Sequence, residues 1–264
     1  WELLPISRTR MQRVSNITQL KTVGRQGTEC LGRPYKTTTK VISLDRTTPM
    51  SKLFEELIME NLKERSENLI NFIFSNTRGF VQSGPFRGMI VSRKYSWGIG
   101  RNLCPKLLGT YEEELHSTIH RFLDRLPSVI INIGCAEGYY AVGLALLAPN
   151  CKHYAYDNDQ YARRICRENA GLNGLENKIT VLSDTTGVEF VKAIDAMHPS
   201  LIMCDIEGGE EQLFSDDTVI HALRYSYMII ETHASQSGHT LGKIFSRFSS
   251  SHDIELIKQA GRNP

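Results

Sequence analysis

Five stretches of the chain follow an apolar run with polar residues of the kinds that hold ligands or move protons. The first is Asn132-Ile133-Gly134-Cys135-Ala136-Glu137-Gly138. Glycines four apart after a strand-like run allow a tight turn, and the N–H groups of a following helix can receive an anionic group. Ala136 stands at the second glycine of G-x-G-x-x-G and there is no G-K-[ST], so neither a dinucleotide fingerprint nor a P-loop is present. The second stretch ends at Asp157, where a carboxylate can accept hydrogen bonds from both hydroxyls of a ribose. Asp159, two residues on, reads as a helix N-cap. Ser183-Asp184 closes the third stretch, within reach of an adenine amino group.

The fourth stretch is Cys204-Asp205-Ile206-Glu207-Gly208-Gly209-Glu210, and the fifth is Glu231-Thr232-His233. His233, whose ordinary pKa is ~6.5, is the preferred general base, with Asp205 and Glu207 beside it. Asp205, Glu207, Glu231 and His233 are alternatively ligands for one hard divalent cation. The set lacks the several histidines of tight transition-metal sites, so the metal-free arrangement is preferred. His116 and His120 lie four apart and flank an apolar helix stripe, which suits a solvated pair better than a metal site.

These residues need a scaffold that gathers them at one edge. After Pro127 the pattern predicts strands at 129–133, 153–156, 179–182, 201–204, 227–230 and 254–257. Helices are predicted between them at 138–147, 159–172, 188–196, 210–223 and 241–248. Buried strands alternating with helices mean an α/β fold, a doubly wound, mostly parallel, Rossmann-like sheet with helices on both faces. In such sheets ligands sit at the carboxyl ends of the strands. Before this domain, a helix from Ser51 (its cap) through Ile73, a short strand at 89–91 and a helix at 111–126 form a helical and irregular N-terminal extension.

Composition fits one such domain plus the extension. With 264 residues, 41% hydrophobic and 23% charged, the chain buries a real core and is neither disordered nor low-complexity. No window approaches 18 uninterrupted apolar residues, so a transmembrane helix and a membrane partner are not expected. Six cysteines without a C-x-x-C pair read as free thiols in a cytoplasmic protein. Residues 1–49 carry nine Lys/Arg against three Asp/Glu, leaving 22 basic and 26 acidic residues for the rest. The mildly acidic body argues against a nucleic-acid partner. The expected organisation is a poorly structured basic leader at 1–49, upstream of or extending a start at Met50. Residues 50–127 would form a substrate cap, and residues 128–264 the ligand-binding domain. Oligomeric state is not set by these features.

In order, V-I-I-N-I-G-C-A-E-G-Y-Y, A-Y-D-N-D, L-S-D-T-T-G, I-M-C-D-I-E-G-G-E and I-I-E-T-H resemble a class I S-adenosylmethionine-dependent methyltransferase, closest to the FkbM type, over roughly residues 108–258. The resemblance implies S-adenosylmethionine as cofactor. Gly134 and Gly138, with Asn132, Cys135 and Glu137, would lie at its methionine end, Asp157 at the ribose and Asp184 at the adenine. Asp205 and Glu207 would form the acidic motif after the fourth strand. Tyr111, in Gly109-Thr110-Tyr111-Glu112, would sit in a segment closing over the cofactor. Asn132 departs from the acid usual at its position, where an amide can still fix the glycine loop. The usual fold also continues past the sixth strand to a hairpin. O-methylation of a sugar or other small hydroxyl compound, a small-molecule or glycan acceptor, is the implied reaction. The absence of [DNS]-P-P-[YFW] and of Pro-Cys after the fourth strand disfavours amino-group and cytosine C5 methylation. The competing expectation is a non-catalytic nucleotide-binding or scaffold domain that kept the fold.

Overall fold

The computed structural model describes residues 50–96, 102–183, 188–194, 199–233 and 239–258. The expected leader at 1–49 lies outside them. Five parallel strands form the sheet: β1 (Val129–Ile133), β2 (Lys152–Tyr156), β3 (Ile179–Leu182), β4 (Ser200–Cys204) and β5 (Tyr227–Ile230), in the order β3-β2-β1-β4-β5. This is the doubly wound, Rossmann-like α/β class expected from the alternating pattern. Every residue of β1 and β4 is buried, which is why these strands read as continuous rather than alternating apolar runs.

Alternate residues of the central strands feed two cores. Ile130, Leu201 and Met203 face α4 (Tyr139–Leu147) and α5 (Gln160–Leu172). The same core takes in Ile70 of α1 (Met50–Thr77), Leu103 and Leu107 of α2 (Leu103–Leu108), and Ile119 of α3 (His116–Leu123). Val129, Ile131, Ile133, Ile202 and Cys204 face the other way, toward Leu213 of α7 (Glu210–Leu213), Val219 and Leu223 of α8 (Asp217–Leu223), and Phe248 of α9 (Thr240–Phe248). Val191 of α6 (Val188–Ala193) packs at the margin of this second core.

Several boundaries differ from the sequence expectation, each for a local reason. Ser51 lies inside α1, which begins at Met50, and so does not cap it. The expected strand at 89–91 is reduced to an isolated antiparallel bridge between Phe80 and Ile90. The helix expected over 111–126 is a 3-10 turn at Glu113–Leu115 followed by α3, because Glu112 takes the left-handed conformation at φ 45°. The helix expected over 210–223 is split: Asp216 is extended and its carboxylate accepts from the Thr218 N–H at 2.7 Å, restarting the helix as α8. Residues 254–257 are not a strand. They pair with no neighbour among the described residues and are solvent-exposed, so β5 is an outermost strand among the described residues.

Candidate functional site

The register of the sheet aligns the carboxyl ends of its strands. Ile133 pairs with Tyr156 on one side and Cys204 on the other, Tyr156 with Leu182, and Cys204 with Ile230. The next residues are therefore Gly134, Asp157, Ser183, Asp205 and Glu231, in one row. Backbone bonds carry the ladder one step further: Asp205 N–H to Ile133 O at 3.0 Å, Glu231 N–H to Cys204 O at 2.9 Å, and Asp157 N–H to Leu182 O at 3.2 Å. The convergence of polar groups expected from sequence is thus a consequence of strand register. Asp184 lies outside the described residues.

The turn after β1 is closed largely on itself. The N–H groups of Gly134 and Cys135 both donate to Tyr156 O, Ala136 N–H donates to Asp157 Oδ2 at 2.8 Å, and Gly138 N–H donates to Cys135 O. These groups do not point at a ligand, contrary to the open anion cradle that glycine spacing suggests. Asp157 spends its other oxygen on the Asp159 N–H at 2.8 Å. A carboxylate has about four lone-pair positions, so acceptor capacity for ribose hydroxyls remains. Asp159 caps α5 as expected, accepting from the Tyr161 N–H.

Other residues assigned to the cofactor turn inward. Glu137 is buried in an ion pair with Lys106 of α2, and Ser96 donates to its second oxygen at 3.1 Å. Burial would raise its pKa, but the charge and hydrogen bond of Lys106 outweigh this and hold it below the usual carboxylate range. Cys135 is buried against the Cys166 thiol, and that contact, with burial, pushes its pKa up. Gly138 packs against α5, where a Cβ would meet Cys166 Sγ at 2.7 Å. The Asn132 amide reaches toward Met203 O at 3.5 Å instead of bracing the glycine turn, and its Oδ1 has no partner among the described residues. The side chains of Glu137 and Cys135 are therefore engaged within the fold, one in an ion pair and the other in packing.

Across the sheet, the turns after β4 and β5 build an acidic pocket around His233. Its Nδ1 lies 3.2 Å from Glu210 Oε1, and its Nε2 lies 3.4 Å from Glu207, 3.7 Å from Glu231 and 3.9 Å from Asp205. Burial alone would lower the His233 pKa, but the bond to Glu210 and the charges of Glu207, Asp205 and Glu231 raise it above the ordinary value. Burial and the charge of Glu207 push Asp205 up to about 6, and burial with Asp205 and Glu112 pushes Glu231 up to about 7. Donor atoms of Asp205, Glu231 and His233 all lie within 4.8 Å of one another, close enough to share a cation. His116 instead contacts Tyr111 O at 3.1 Å, so its ring belongs to the local fold.

Tyr111 borders this pocket. Burial raises its pKa, and so do the charges of Glu112, Asp205 and Glu231. Its ring packs edge-on against Tyr139, while Tyr140 OH donates to Glu112. Three non-glycine residues with positive φ, Glu112, Ala136 and Glu207, lie in the turns that form the site. Strained backbone of this kind collects where a fold holds side chains in place for function.

Sequence reasoning missed four residues that hold the site together. Glu210 lay in the motif after β4 without a role, Lys106 in a stretch that reads as irregular but forms α2, and Asn169 in α5 without a signal. Asn169 accepts from the Ser92 N–H at 2.8 Å and donates to Glu137 O at 2.8 Å, tying the N-terminal extension to the glycine turn. Phe86 packs its ring on Tyr139 and Tyr140 and over Gly143, where a Cβ would come within 2.5 Å of it.

No family model matches the chain. Among solved structures it is similar to precorrin-6y C5,15-methyltransferase from Geobacter metallireducens, with TM-score 0.39 and 16% identity over 52% of this chain and 71% of that one. It is also similar to StiE O-MT, with TM-score 0.40 and 18% identity over 56% and 54% of the two chains. By sequence it is similar to the ribosomal protein L11 methyltransferase of Carboxydothermus hydrogenoformans, 33% identical over 98 residues, which are 35% of this chain and 32% of that protein. The chain therefore spans about a third of the length of the curated relative it matches.

Proposed function

We propose that this chain is an S-adenosylmethionine-dependent methyltransferase acting on a hydroxyl of a small molecule or glycan, in the manner of the FkbM type. The observation that carries the proposal is His233 placed with Nε2 toward Asp205, Glu207 and Glu231, on the row of strand ends that also contains Gly134 and Asp157. The sequence similarity to a methyltransferase supports the same class of reaction. The donor set fits a cationic cofactor: burial and mutual crowding raise the pKa values of Asp205 and Glu231, and a positive charge placed beside them would relieve that crowding. When bound, the cofactor supplies a methyl carbon already activated by its sulfonium.

The protein's own work is then orientation and proton removal. Asp157 braces the turn after β1 and offers its remaining lone pairs to the ribose. Asp205 and Glu231 would supply negative potential to the sulfonium. His233 Nε2 takes the acceptor hydroxyl proton. Tyr111 and Glu112, from the N-terminal extension, bound the acceptor side, which is the cap role proposed for residues 50–127. No helix among the described residues is long and apolar enough to cross a membrane, and a cytoplasmic location with a small diffusing acceptor suits this reading.

The test is labelled-methyl transfer to a panel of sugars and small alcohols, with calorimetry for S-adenosylhomocysteine and NAD. His233→Ala should lower turnover by about 10²–10⁴-fold and leave cofactor affinity intact. Activity should rise with pH through the elevated His233 pKa, since the base must be neutral. Cofactor binding without transfer to any acceptor would favour the scaffold alternative, and NAD binding without a response to S-adenosylhomocysteine would defeat the cofactor assignment. A chelator should leave turnover intact. Its reversible loss, restored by magnesium, would put a cation between Asp205, Glu231 and His233.

A further inference from the structure

We propose that Glu210 is the positioning residue for His233, holding a proton on Nδ1 so that Nε2 carries the lone pair toward the acceptor. This inference rests on His233 being the base. Glu210 is fully buried, while the other three carboxylates around the ring are between a third and a half exposed. Its Oε1 accepts the N–H groups of Ile206 and Gly208, both at 3.2 Å, and faces His233 Nδ1 at 3.2 Å. A carboxylate oxygen already accepting two N–H bonds presents a lone pair and not a proton. The contact is a hydrogen bond only if Nδ1 is protonated.

The opposite tautomer would place the Nδ1 lone pair against Glu210 Oε1 inside a dry turn. Glu210 is pinned by two backbone bonds and cannot swing away. Glu207, beside Nε2, is half exposed and can turn to water at little cost. The immobile partner therefore decides the tautomer, as it does wherever a buried carboxylate orients a histidine. Glu210 also stabilises the imidazolium formed when Nε2 takes the proton. It touches neither cofactor nor acceptor and acts through the ring.

The ring state is measurable without substrate, by nitrogen-15 chemical shifts of histidine-labelled protein at alkaline pH, the His233 signal being assigned by its loss in His233→Gln. The wild-type ring should be the Nδ1–H tautomer. Glu210→Ala should shift it toward Nε2–H and lower kcat by about 10- to 100-fold, the size seen when a partner behind a metal-bound histidine is removed. Glu210→Gln keeps a carbonyl acceptor, so it should keep the tautomer and recover part of kcat. A wild-type Nε2–H ring, or a ring unchanged by Glu210→Ala, would overturn the proposal. Should Glu210→Ala not fold, the wild-type and Glu210→Gln spectra still decide it. A chain that shows the Nδ1–H ring but transfers no methyl group fails the functional reading alone.

Discussion

A Cβ at position 134 would stand 1.6 Å from the carbonyl oxygen of Asp205. The turns after β1 and β4 are therefore in backbone contact, and Gly134 is required by the neighbouring strand as much as by its φ of +78°. Gly134→Ala should cost about 3 kcal/mol or more, because the clash is with backbone and cannot be relieved by a rotamer. Gly174, with φ +67° and open space around it, separates the two effects. Gly174→Ala should cost about 1–2 kcal/mol, the conformational part alone. Urea denaturation of both variants measures the difference, and equal losses would show that the contact with Asp205 relaxes freely.

Lys106 and Glu137 join the N-terminal extension to the glycine turn through a buried ion pair. Lys106→Met leaves an uncompensated buried carboxylate and should destabilise the protein by about 3–5 kcal/mol. Adding Glu137→Leu should restore much of that loss, since the unpaired charge is gone. The depressed Glu137 pKa means that this stabilisation is present above the ordinary carboxylate pKa and is lost as pH falls through the lower folded value. A melting temperature for Lys106→Met equal to wild type at neutral pH would contradict this account.

Asp205 and Glu231 have the opposite sign. Their folded pKa values, about 6 and about 7, lie above the unfolded ones, so the native state binds more protons and stability falls as pH rises from about 4 to about 7. Glu231→Gln should therefore raise the melting temperature at pH above 7 and change it little near pH 4. The Glu231 side chain is 48% exposed, so the gain is screened to roughly 1 kcal/mol or less. Thermal scans across pH decide this; a variant that is less stable at alkaline pH would mean that Glu231 is paired, not crowded.

Asp157 has two duties that different substitutions separate. Asp157→Ala removes the acceptor for the Ala136 and Asp159 N–H groups and should cost about 1–3 kcal/mol of stability as well as cofactor affinity. Asp157→Asn keeps one acceptor oxygen, so it should cost less stability while still weakening the ribose contact. Calorimetry beside denaturation resolves the two, and Asp157→Asn with unchanged affinity would place the ribose partner elsewhere.

The sheet was legible because both faces of β1 and β4 are covered, which leaves uninterrupted apolar runs between helical periods. Gly134 and Asp205 were legible for the same reason, since each follows directly on such a run, and Asp157 and Glu231 were legible from the ends of the shorter stretches Ala155-Tyr156 and Tyr227–Ile230. What sequence could not show was which way each side chain turns. Glu137 sits between two glycines in the turn after β1, yet Lys106, 31 residues earlier, draws it inward. Glu210 looks like any acid opening a helix, and only the return of β5 beside β4 brings His233 to it. The strand expected at 254–257 is not formed, because a short apolar stretch records a tendency and no described strand lies beside it to pair with.

Among the described residues β5 is an outermost strand, which carries a liability separate from catalysis. Tyr227-Met228-Ile229-Ile230 is a short, uncharged, apolar sequence, and among the described residues β4 alone pairs with it. The residues that follow, Glu231 and His233, put charge at one end of this strand and supply what little gatekeeping it has. Neutralising them for the sake of chemistry would therefore also strip the charge from the end of this apolar strand.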